Sequence, residues 1–88
     1  MAENNPNTDD HKIDQKIRDM TGDRGSSGSI CPSEVARSLY PENWRAYMDR
    51  VRRRAYALYE AGEIVVTQKG QPVDRDSVKG PIRLKHNR

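Results

Sequence analysis

Five of the ten residues from 45 to 54 are arginine, inside the run RAYMDRVRRRAYALYEAG at residues 45–62. Guanidinium groups are planar, permanently charged forks that grip phosphate oxygens and pair bidentately with guanine. Nucleic-acid binding is therefore the first chemistry to weigh. Asp49 is the lone acid among those ten residues, which leaves them a net charge of +4. The remaining reactive side chains offer less. Cys31 is the single cysteine, so an internal disulfide is excluded, and with His11 and His86 it makes no recognisable metal-ligand spacing. A thiol at a helix N-terminus gains thiolate character, yet Cys31 follows Ile30 in a strand-like stretch and has no resolving cysteine. It reads as a small buried cap. Ser26, Ser27 and Ser29 lack the glycine spacing and the lysine of a phosphate loop. Asp74 and Asp76 sit among turn formers, and both histidines lie near the ends. Catalysis is not expected, nor any cofactor or metal.

The segments that must position these groups follow from apolar spacing. Residues 1–9 are polar and Asn-rich, with no large apolar residue after Met1, and read as a disordered tail. Thr8, Asp9 or Asp10 then caps a short helix on which Ile13, Ile17 and Met20 form one stripe. TGDRGSSGS ends it, because its three glycines and three serines break helical continuity. SIC is β-compatible, and CPSEVARSL opens a second helix. There Pro32 takes the first helical position, Cys31 is the N-cap, and Glu34 reaches back to the free backbone N–H. Val35, Ala36 and Leu39 share its buried side.

YPEN turns the chain, and a third helix is expected from Pro41 to a terminating Gly62. Trp44, Tyr47, Met48, Val51, Ala55 and Leu58 fall on one face at helical spacing. Asp49, Arg53, Ala57 and Glu60 lie opposite, Arg45, Arg50, Arg52 and Arg54 fall on the flanks, and Tyr56 belongs to the polar side. EIVVTQ and PIRLKH read as strands, joined by a loop over residues 69–80.

A hairpin alone is not stable in water, so its apolar face must pack on the helices, and SIC can add a third strand. Helix, strand, helix, turn, helix, strand, loop, strand is the order of a winged helix. The fold class is α+β and mainly helical, three helices with a small antiparallel sheet, in one domain over residues 10–86. Only 33% of the 88 residues are hydrophobic and phenylalanine is absent. A chain of this size buries about 60% of its unfolded surface, so the core is thin and dimerisation stays open.

Four blocks support this topology: SICPSEVARSL, the Trp44–Arg45 pair, EAGEIVVTQKGQPVD and GPIRL. Together they resemble a family of short bacterial proteins of unknown function assigned to the winged-helix superfamily. The resemblance covers residues 11 to 86. It implies the fold and a bacterial origin, and it carries no activity and no functional residue.

The charge is uneven: residues 1–28 carry six acids and four bases, residues 29–88 seven acids and twelve bases. A basic second half suits an anionic partner. In a helix-turn-helix the start of the second helix enters the major groove, which brings Asn43, Arg45, Arg50 and Arg53 within reach of bases, beside Asp49. Arg37, and Lys69, Arg75 and Lys79 on the wing, would hold phosphates on either side. Against this stand Glu42, Asp49, Asp74 and Asp76, which repel DNA, and the plainer role of arginine in solubilising an outer face. Two readings stay open: a module for double-stranded DNA, as in a small transcriptional regulator, or a module docking on a protein through the same surface. Trp44 reads as core, and Tyr56 as an exposed residue that a base or a partner would cover. No leader or apolar span is present, so a cytoplasmic protein without membrane contact is expected.

Overall fold

A computed structural model of the protein describes residues 6–25, 28–74 and 80–87, with side chains from residue 8 onward. Helix α1 runs from Pro6 to Arg24, longer at both ends than its apolar stripe predicts. Residues 6–9, assigned to the tail from composition, are helical, and Asp9 sits within the helix rather than capping it. At the far end Thr21 is fully buried, and its hydroxyl donates to the Ile17 carbonyl at 2.7 Å. That bond satisfies the polar group inside the helix, so Thr21 prolongs the stripe of Ile13 and Ile17.

Helix α2 spans Pro32–Leu39, as its punctuation predicts. Cys31 is extended at the N-cap, and its backbone N–H donates to Glu34 Oε2 at 2.9 Å. The next stretch departs from expectation. Pro41–Asn43 is a turn, Trp44–Tyr47 a 3-10 helix, and helix α3 begins only at Met48 and ends at Glu60. Tertiary contacts account for the tighter winding: the Tyr40 and Tyr47 rings stack at 3.6 Å with 6° between their planes, closing the corner between α2 and α3. Gly62, at φ +82°, terminates α3. Its N–H donates to Tyr59 O at 3.0 Å and that of Glu63 to Leu58 O at 2.9 Å, the two bonds of a Schellman end.

Strand β1 (Ile64–Gln68) pairs antiparallel with the last strand, from Ile64 opposite His86 to Thr67 opposite Arg83. Between them the expected loop contains a further strand. Lys69 (φ 55°) and Gly70 (φ 81°) make a two-residue turn into β2, Gln71–Pro72, which pairs with the other side of β1. Positive φ at both turn residues is the primed geometry that matches strand twist. The last strand is thus β3, Arg83–His86. Ile30 contributes the anticipated outer strand as a single bridge, exchanging backbone bonds of 2.9 and 2.8 Å with Leu84.

The inner sheet face, with Ile64, Val66 and Leu84, packs on Ile13 and Ile17 of α1, Val35 and Ala36 of α2, and Val51, Ala55 and Leu58 of α3. Ile30 and Ile82 complete this core. The result is an α+β, mainly helical, winged-helix-like arrangement, in which α2, the turn and α3 carry the segment rich in arginine.

Candidate nucleic-acid interface

Eight of the described arginines, all on the helices and the 3-10 turn, fall into two groups. One fastens α1 to its neighbours. Arg54 donates twice to Asp14, each bond 2.8 Å long, and the Asp14 side chain is only 13% exposed. Arg50 reaches Asp9 at 3.1 Å, and the other oxygen of Asp9 accepts the Tyr40 hydroxyl at 3.1 Å. Burial, together with that acceptor, pushes the Tyr40 phenol up to about 12. The Lys12 ammonium lies 5.5 Å from the Tyr40 ring centroid. Arg18 pairs with Glu63 at 2.7 Å, which holds that exposed carboxyl below its usual range, and Arg24 pairs with Glu34 at 2.8 Å. Two of these four pairs tie α1 to α3, one ties it to Glu63 before β1 and one to α2.

The second group, Arg37, Arg45, Arg52 and Arg53, is exposed and makes no ion pair with a carboxylate among the described residues. Arg37 and Arg45 both lie over the indole of Trp44, at 4.3 and 4.7 Å from its centroid. Trp44 is half-buried against the core and closes the 3-10 turn onto α2, so its expected packing role holds while its ring is only partly covered.

Arg52 and Arg53 flank an open trough along α3. Its first part is bordered by Asn43, Ala46, Asp49 and Arg53, and the next by Asp49, Arg52, Arg53 and Tyr56. Arg52 and Tyr56 then meet Gly80, Pro81 and Ile82, where the chain leads into β3. The sequence-predicted residues Asn43 and Arg53 are thereby brought onto one surface. Arg50 touches the same depression but is held by Asp9, and Lys69 is exposed at the tip of the β1–β2 turn. Arg75 and Lys79 lie outside the described residues. Asp9 and Asp49 add negative charge at the head of the trough.

Three residues take roles that periodicity did not assign. Arg52, placed on a flank, belongs to the trough. Tyr56, expected on the polar side, is half-buried and packs against the core, and it borders a depression with Gly80, Pro81 and Ile82. Arg83, expected to alternate outward, clasps the start of α2. It donates to Ser29 Oγ at 2.9 Å, to the Ser29 carbonyl at 3.0 Å and to Cys31 Sγ at 2.7 Å. Cys31 is accordingly half-buried and engaged, rather than a buried apolar filler.

A helix-turn-helix backed by a three-stranded sheet, with an arginine-flanked trough on its last helix, defines a winged-helix-like protein. The chain belongs to the family described as Protein of unknown function (DUF3253), whose model matches residues 10–87. No curated protein matches it. Among the described residues no helix is long and apolar enough to cross a membrane.

Proposed function

We propose that the protein binds double-stranded DNA, as a small transcriptional regulator, with the exposed face of α3 in the major groove and the β1–β2 turn against the backbone. The observation that carries this reading is the alignment of Asn43, Arg52 and Arg53 along one open trough, with both guanidiniums unclaimed by carboxylates among the described residues. Arginine pairs bidentately with guanine and asparagine with adenine, which suits Arg53 and Asn43 to bases. Arg52 and Lys69 suit phosphates. Asp49 in the same trough supports the second reading, a basic-patterned protein partner in place of DNA.

The test is anisotropy with a labelled random-sequence duplex at 50 and 200 mM salt, with an Arg52→Glu/Arg53→Glu variant alongside. Arg50 is left intact, since it fastens α1. Binding that weakens with a log–log slope of about −0.9 per neutralised phosphate, and that the variant abolishes, is the expected result. No binding at 50 mM salt by a protein with native circular dichroism would overturn the reading and favour the protein partner.

A further inference from the structure

The pair of guanidiniums on Trp44 is a built feature: Arg37 joins α2 to the indole, and the charge of neither arginine is met by a carboxylate among the described residues. Arg37 is exposed on α2 and Arg45 on the 3-10 turn, and the indole that both contact is half-buried. Stacking on an aromatic face restrains a guanidinium while leaving its N–H edges open to oxygen. Ordering costs that a ligand would otherwise impose are thus met beforehand. Neither arginine has a carboxylate partner among the described residues, and the nearby acid, Glu42, is exposed and makes no ion pair with either. Two restrained cations anchored to one ring favour a multiply charged oxygen anion.

We infer that Arg37, Trp44 and Arg45 form a phosphate-binding unit at the corner between α2 and α3, and that its ligand is the DNA backbone. This rests on the function proposed above: in helix-turn-helix proteins the first helix of the motif crosses the phosphate backbone while the second lies in the groove. The unit supplies affinity and register and carries no sequence information.

Trp44 is the sole tryptophan, so its emission reports on this unit alone. The full chain is titrated at 50 mM salt with a random-sequence duplex and, separately, with sodium pyrophosphate, while anisotropy follows duplex binding across a salt series. Both ligands change Trp44 emission. An Arg37→Gln/Arg45→Gln variant loses both responses and makes the duplex salt slope shallower by about 2, close to −0.9 for each of two phosphates. An Arg37→Lys/Arg45→Lys variant keeps the charge but not the stacked fork and loses most of the emission change. If the Lys pair responds fully, the indole-held fork is refuted. Duplex binding with silent Trp44 emission and an unchanged slope in the Gln variant overturns this inference and leaves the DNA reading standing. A pyrophosphate response without duplex binding supports the phosphate unit and sinks the DNA reading. Silence toward both ligands overturns the unit itself.

Discussion

Replacing Asp14 by Asn should unfold this protein far more readily than any change to the exposed arginines. The Asp14 side chain is 13% exposed and holds Arg54, 30% exposed, through two bonds of 2.8 Å. Exposed ion pairs are worth about 0–1 kcal/mol, and breaking a fully buried one costs about 3–5 kcal/mol. The Asp14–Arg54 pair lies between these limits, which puts Asp14→Asn near 2 kcal/mol, roughly a 10 °C fall in Tm for a domain of this size. Urea unfolding followed by circular dichroism measures the loss. A cycle of Asp14→Asn, Arg54→Gln and the double variant isolates the pair, with about 1 kcal/mol of coupling expected. Arg53→Gln, one residue away on the exposed face, should stay within about 0.5 kcal/mol of the parent. Should Arg53→Gln cost as much as Arg54→Gln, or should the coupling vanish, the division of the arginines into fastening and free groups is wrong.

Gly62→Ala should cost about 1–2 kcal/mol in the same assay, because φ +82° is unfavourable to any Cβ; an unchanged urea midpoint would contradict the Schellman end. The folded-state pKa of Tyr40, raised from 10.0 to about 12, makes the native state hold a proton that the unfolded state releases. Its stabilisation is therefore complete below pH 10 and fades as pH rises toward 12. Urea midpoints of the parent and Tyr40→Phe should converge over that window, and a pH-independent gap would refute the assignment. Lys69→Asn should gain about 0.5 kcal/mol, since Asn-Gly is favoured in a primed two-residue turn where Lys69 now has φ 55°; a loss in urea midpoint would argue against that geometry.

Features set by a few neighbouring residues were legible without the structure. Cys31, Pro32 and Glu34 specify the start of α2 through local backbone chemistry, and Gly62 specifies the end of α3, and both stand where the sequence places them. The stripe of Ile13 and Ile17 and the outer bridge of Ile30 follow equally from spacing and element order. What escaped depends on contacts and backbone angles that apolar spacing does not announce. Nothing near Trp44 announces a 3-10 turn; it follows from Tyr47 meeting Tyr40. β2 was hidden because Lys69 is a poor signal for a positive φ and Pro72 argues against a strand. The fates of Arg50 and Arg54 were illegible because their partners are distant in the chain. Their spacing puts them beside Arg52 and Arg53, and only the placement of α1 across α3 brings Asp9 and Asp14 to two of the four.

The position of Pro72 has a consequence for how copies of this chain behave at high concentration. With Gln68 opposite Gln71 at the turn and Val73 N–H bonded to Val66 O, the backbone N–H site of residue 72 faces away from β1. Proline has no hydrogen there, so the outward row of donors is interrupted at the spot where an incoming strand would seek one. A two-residue strand ending in that gap is a poor template for edge-to-edge growth. The wing can therefore be presented to solvent, or to a large polyanion, without inviting β-type aggregation.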